Sequence, residues 1–275
     1  NLFLIFYLHS FSKKFNKRLF DVGIAEQHGV TFAAGLAVNG LIPVVAIYSS
    51  FLQRAYDQVI HDVAMQNLHI VFAIDRAGIV GADGETHQGI YDIAFLKHIP
   101  NLEIIQPSNK KEAWQLLDYA FKYTKNSVAI RYSKNYTKNE ELTEYQAIKK
   151  PTWNEFNKDA QANLISYGDN FTRMHKYIKT NNININLYNA MFIKPLDKLM
   201  LEKIISSNKK TYVLEDVTKI SGLGSSILEY LAEEEKQLDI KILGLPDEFI
   251  EQGSQAKIYK KYNLDEKSII NTILK

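Results

Sequence analysis

Apolar residues in the first half of the chain fall into short unbroken runs. These are Pro43-Val44-Val45-Ala46-Ile47-Tyr48, His69-Ile70-Val71-Phe72-Ala73-Ile74, Leu102-Glu103-Ile104-Ile105 and Ser127-Val128-Ala129-Ile130-Arg131. Runs of this length without polar alternation predict strands covered on both faces, as in a parallel sheet. Between them the spacing changes. Leu52, Tyr56, Val59, Ile60 and Val63 recur every three or four residues and predict a helix over roughly 51–66, with Ser49-Ser50 available as its cap. Another helix is predicted around 110–122. Ahead of the first strand, Gly23 opens a helix whose inner positions Ala25, Gly29, Ala33, Ala34 and Ala37 are too small to fill a core. Something must therefore approach this helix closely, and Asn39-Gly40 ends it.

The second half repeats the alternation in kind, without a sequence repeat. Strands are predicted at 163–167, 183–188, 211–215 and 239–243, with helices around 170–180, 197–207 and 222–235. Alternating strands and helices of these lengths predict an α/β protein made of two doubly wound units with mainly parallel sheets. Tyr132 to Lys150 is rich in Lys, Asn, Glu and Thr and ends at Pro151, which marks a linker. The expected layout is an atypical segment 1–15, a first domain 16–135, a linker 136–160 and a second domain 161–275.

Composition narrows the function classes. The 275 residues are 46% hydrophobic, enough to fill two cores. Lys and Arg number 33 against 31 Asp and Glu, a net charge of +2 that leaves no footprint for nucleic acid. Cysteine is absent, which excludes disulfides and thiolate chemistry and fits the cytoplasm. The apolar residues 1–7 are far short of the ~20 that span a membrane, and Lys13 and Lys14 follow them where a signal peptide would have basic residues first. No membrane association is expected.

Two stretches carry chemistry. In Phe20-Asp21-Val22-Gly23-Ile24-Ala25-Glu26-Gln27-His28-Gly29-Val30, Glu26 stands at a helix start, where the helix dipole favours a carboxylate by a few tenths to ~1 kcal/mol. In Ala73 to Gly89, Asp75, Arg76, Asp83, Glu85 and His87 are set among Gly78, Gly81, Gly84 and Gly89. This loop leaves the C-terminal end of a strand, the place where such sheets bind ligands. Arg131 ends another strand, so Arg76 and Arg131 are expected to converge on one rim and suit a phosphate. Arg54 reads by itself as a helix-face cation near Asp57 and Asp62. Gly222-Leu223-Gly224-Ser225-Ser226 lacks the third glycine of a dinucleotide cradle and reads as a tight strand-to-helix turn. Tyr167-Gly168-Asp169-Asn170 opens like a metal motif but lacks its next glycine, and His61, His69, His98 and His175 lack ligand spacing, so no metal ligand is assigned.

Both stretches resemble the pyrimidine-binding half of thiamine-diphosphate enzymes, and in particular the 1-deoxy-D-xylulose-5-phosphate synthase family. Ile24-Ala25-Glu26-Gln27-His28, Ala46-Ile47-Tyr48-Ser49, Phe51 to Gln58, His61-Asp62-Val63-Ala64 and Asp75 to Gly89 carry the resemblance. Phe192 to Asp197 and Gly244-Leu245-Pro246-Asp247 extend it more loosely into the second half. The resemblance implies thiamine diphosphate as cofactor, with Glu26 sharing a proton with N1′ of its aminopyrimidine and Phe51 lying against that ring. It implies pyruvate and D-glyceraldehyde 3-phosphate as substrates, with Tyr48, Arg76 and Arg131 gripping the acceptor's phosphate. Asp83 and His87 are implied near the reacting carbons, Arg54 near the active site, and a homodimer formed with the C-terminal domain.

The family's Mg2+ and diphosphate site, with its Gly-Asp-Gly motif, lies in a preceding domain that these 275 residues do not contain. Residues 1–10 also differ from the family's sequence at that point, and a truncated, split or misread gene is expected, with a separate N-terminal chain as one form of it. The chain alone is therefore expected to be inactive, with an exposed apolar face around Ala33, Ala34 and Ala37. Transketolase, the β subunit of 2-oxo-acid dehydrogenases, and a half-enzyme that binds a partner without catalysis are the alternatives. Asp75-Arg76-Ala77-Gly78 favours the synthase over the first two.

Overall fold

The computed structural model describes residues 11–135, 146–157 and 159–275. Most of the atypical N-terminal segment and much of the expected linker therefore lie outside the described residues. The first sheet contains β1 (Val44–Tyr48), β2 (Val71–Asp75), β3 (Leu102–Ile105) and β4 (Ser127–Arg131) in the order β1-β2-β4-β3, all parallel. The second sheet contains β5 (Asn154–Phe156), β6 (Ala162–Ser166), β7 (Asn186–Asn189), β9 (Lys210–Thr218) and β10 (Ile240–Leu245) in the order β10-β9-β6-β7-β5. Its strands are parallel except β5, which pairs antiparallel with β7 along one edge. The architecture is the expected pair of α/β units.

One strand breaks the division by sequence. β8 (Phe192–Lys194) follows β7 after only Ala190 and Met191, yet it pairs antiparallel with β3 and completes the first sheet. Trp153 Nε1 donates to Phe192 O at 2.8 Å beside this crossing. A continuous apolar core consequently runs from Val30, Leu52 and Phe72 through Phe192 to Val213 and Ile227.

Local chemistry sets the helix ends. Asn109 accepts from Glu112 N at 2.9 Å and starts Lys110–Lys122, while Asp197 accepts from Met200 N at 3.0 Å and starts Lys198–Ser206. The predicted helix over 51–66 is instead a succession of short turns from Ser49 to Ala64 that includes a π segment at Val59–Ala64. Such irregular turns are frequent at functional sites. The small residues of helix Glu26–Val38 do admit a close neighbour, but it is this chain's own core: Ala33 and Ala34 are buried. The expectation of an exposed face around them is therefore corrected. The exposed large apolar side chains of residues 20–44 are Phe20, Ile24, Val38, Leu41, Ile42 and Val44.

The Gly222–Ser226 turn holds a carboxyl group supplied by the chain. The buried Glu215 carboxylate accepts from Leu223 N at 2.6 Å and Gly224 N at 3.0 Å, at the start of helix Leu223–Glu233. A Cβ at Gly222 would lie 2.0 Å from Glu215 Oε2, so any larger residue there would displace this carboxyl from its two amides. Burial pushes the Glu215 carboxyl up to about 7 against the pull of these two amides. The folded state thus holds this proton more tightly than the unfolded chain. Its contribution, about 3 kcal/mol, is fully present below about pH 4.5 and is lost as pH rises through about 7. Glu215→Gln is expected to remove that slope, read as urea midpoints at pH 5 and pH 8. An unchanged slope would mean that other groups set it.

Candidate active site

The site lies along the C-terminal ends of β1 and β2. Glu26 begins its helix with its side chain 5% exposed, and Arg54 Nη1 reaches Glu26 Oε1 at 3.1 Å. The Arg54 guanidinium lies over the Phe51 ring, 4.9 Å from its centroid. Phe51 stacks on Tyr48 at 5.3 Å and meets the edge of His87 at 5.2 Å. The Arg76 guanidinium in turn lies over Tyr48 at 4.6 Å, with Asp83 Oδ2 3.7 Å from Arg76 Nε. Seven of the eight side chains singled out in the sequence thus form one unbroken chain of contacts.

Arg76 is held in advance by its neighbour. Asp75 accepts from the Arg76 backbone N and from Arg76 Nη1, both at 2.7 Å. This clamp accompanies a φ of +63° at Arg76, a left-handed conformation uncommon outside glycine and often found where backbone strain serves a site. Burial pushes the Tyr48 and Tyr132 hydroxyls up, with Asp75 adding to the shift and Arg76 opposing it. Both therefore remain hydrogen-bond donors at neutral pH.

The glycine-rich loop is closed at its base. Gly78 N donates to Gly89 O at 2.7 Å and Gly89 N donates to Gly78 O at 2.8 Å. A Cβ at Gly89 would sit 1.9 Å from Arg76 O, so the strand end and the returning loop can touch only through glycine. Asp83 and His87 are carried on the two short turns within the loop.

Arg131 is placed differently from the expectation. It is 0% exposed, behind the loop, and donates to Asp92 through Nε at 2.6 Å and Nη2 at 2.9 Å. Its Nη1 reaches Gln106 and, at 3.3 Å, Asp216 of the second half. Burial pushes this guanidinium down, but Asp216 and Asp92 outweigh it and hold the pKa raised. In this arrangement the Arg131 donors are taken up by Asp92, Gln106 and Asp216, and the residue ties the two halves together.

Two further residues belong to the site. Lys134 Nζ donates to Asp83 Oδ1 at 2.5 Å, and its signal in the sequence was a cation three positions after a strand-ending arginine. Asp75 was visible within the loop motif, but its clamp on Arg76 depends on the backbone turn and left no pattern of its own. Among the described residues no group of three or more His, Asp or Glu could hold a metal ion, and no helix is long and apolar enough to cross a membrane.

The sequence and the fold have counterparts in known proteins. The model of the transketolase pyrimidine-binding domain matches residues 6–139, and that of the transketolase C-terminal domain matches residues 153–269. A protein of Clostridium tetani named 1-deoxy-D-xylulose-5-phosphate synthase is 44% identical over 98% of this chain, and one of Pseudoalteromonas translucida with the same name is 46% identical over 96%. The chain spans only 44% and 42% of those two relatives. Among solved structures, a split-gene transketolase in an inactive β4 tetramer superposes with a TM-score of 0.83 at 23% identity, covering 95% of this chain and 84% of that one. Transketolase of Campylobacter jejuni gives 0.74 at 17% identity, covering 93% of this chain and 39% of its own. The two matches together span most of the chain, which carries a transketolase pyrimidine-binding domain followed by a transketolase C-terminal domain.

Proposed function

We propose that this chain is the pyrimidine-binding and C-terminal part of a 1-deoxy-D-xylulose-5-phosphate synthase, which joins pyruvate to D-glyceraldehyde 3-phosphate with loss of carbon dioxide. The observation that carries the reading is the continuous contact from Glu26 through Arg54, Phe51 and Tyr48 to Arg76 and Asp83. A buried carboxylate beside a flat aromatic face suits an aminopyrimidine, which offers a hydrogen-bonding edge and a π surface. Thiamine diphosphate, when bound, supplies the nucleophilic carbon that takes up the two-carbon unit of pyruvate.

The chain's own residues do the rest. Glu26 holds a proton at N1′, and Arg54 fixes the direction of its carboxylate. Phe51 sets the plane of the pyrimidine. Arg76, oriented by Asp75 and supported by Tyr48, receives the acceptor's phosphate, while Asp83 and His87 face its hydroxyl and carbonyl oxygens. Magnesium and the diphosphate are assigned to a separate Gly-Asp-Gly domain, since hard cations take carboxylates and phosphate oxygens together. A homodimer working in the cytoplasm belongs to the same reading.

The test mixes residues 1–275 with thiamine diphosphate, Mg2+, pyruvate and glyceraldehyde 3-phosphate. No turnover is expected from the chain alone, and formation of deoxyxylulose phosphate is expected on adding a separately expressed Gly-Asp-Gly domain of a relative. Continued silence in the mixture would leave a half-enzyme that binds without catalysis.

A further inference from the structure

The loop that carries Asp83 and His87 is held from outside by the second half of the chain. Its flanking apolar residues Ile79 and Ile90 are buried in the second half's own core, together with Leu164, Phe171, Ile250 and Ile258. Above them the turn 251–255 lies along the loop. Gln255 Nε2 donates to Ile79 O at 2.5 Å, and Gln252 Nε2 donates to Ala82 O at 2.9 Å. Gly253 N likewise donates to Gly81 O at 3.4 Å, and in the opposite direction Gln88 Nε2 donates to Glu251 O at 3.2 Å. Every acceptor is a main-chain carbonyl. Such bonds fix the path of the backbone and leave the loop's Asp83 and His87 turned to Arg76 and Phe51.

We propose that Gln252 and Gln255 are positioning residues, latching the 78–89 loop so that the second half sets the geometry of the acceptor site. The acceptor role rests on the function proposed above, whereas the latch itself does not. The carboxamide N–H2 donates to the carbonyl, whereas an isosteric carboxylate would set two acceptors against each other.

Amide hydrogen exchange on the full chain reads the latch without substrate. In Gln255→Glu the amides of 79–88 are expected to exchange about two- to tenfold faster, the loss of one net hydrogen bond, while those of β2 and β4 stay unchanged. Gln252→Ala, at an exposed position where folding is not at stake, is expected to act in the same direction. Unchanged loop exchange in both folded variants, or equal acceleration of loop and strands, overturns the proposal. In the complemented enzyme the variants should raise the KM for glyceraldehyde 3-phosphate and spare that for pyruvate, and equal changes in both would count against the latch. A parent enzyme that makes no deoxyxylulose phosphate defeats the proposed function, and the exchange result then decides the latch alone.

Discussion

Glu26→Gln is expected to lower turnover of the complemented enzyme by about a hundredfold or more, the scale at which a positioned acid–base group contributes. Glutamine keeps the length and shape of the side chain but cannot share a proton with a ring nitrogen as a carboxylate does. Folding should be nearly unaffected. Arg54, the partner of Glu26, has a side chain 53% exposed, so solvent screens the pair and its loss matters little. The lost helix-dipole interaction adds a few tenths to ~1 kcal/mol. Steady-state rates and a urea titration on the same preparation separate the two effects. Unchanged turnover in a folded Glu26→Gln protein would falsify the thiamine assignment.

Arg131→Met is expected to destabilise the chain by about 3–5 kcal/mol, because removing one partner of a buried ion pair leaves an uncompensated charge. Here two carboxylates are left: Asp92, which is fully buried, and Asp216, which reaches in from β9. Arg131→Met combined with Asp92→Asn and Asp216→Asn should recover part of the loss, since neutral groups of similar size no longer need the guanidinium. A direct grip on substrate phosphate makes the opposite forecast. Stability would then hold while the KM for glyceraldehyde 3-phosphate rises about ten- to a hundredfold. Urea midpoints of the single and triple variants, with acceptor kinetics, decide between the two.

The parts of this molecule legible in its sequence are those whose causes are local. β3, helix Lys110–Lys122 and β4 are found where the apolar runs and helical spacing put them. Glu26, Tyr48, Phe51, Arg54 and the 75–89 loop were marked by contiguous motifs, and these residues touch in the structure. What the chain did not disclose depends on distant partners. Arg131 and Asp216 are 85 positions apart, and a strand-ending arginine looks the same whether it faces a ligand or another carboxylate. β5 and β8 are three residues each, too short for a period, and become strands only because a sheet edge accepts them. The alanines of helix Glu26–Val38 announced a close neighbour, but nothing in their spacing said that the neighbour was the chain itself.

The crossing from β7 to β8 bears on how the protein could be divided. A cut near residue 150 looks natural from the sequence, yet the piece ending there would lack Phe192–Lys194 and leave the outer edge of β3 bare. All four residues of β3 are buried and three of them are Leu or Ile, so the fragment would offer a largely apolar strand with open hydrogen-bonding groups, a template for stacking with its own copies. The other piece would carry β8 as an orphan with no sheet to join. The short stitch at Ala190-Met191 thus ties the two α/β units together, and any exchange of one unit that keeps both sheets whole would need to carry Phe192–Lys194 along with the first sheet.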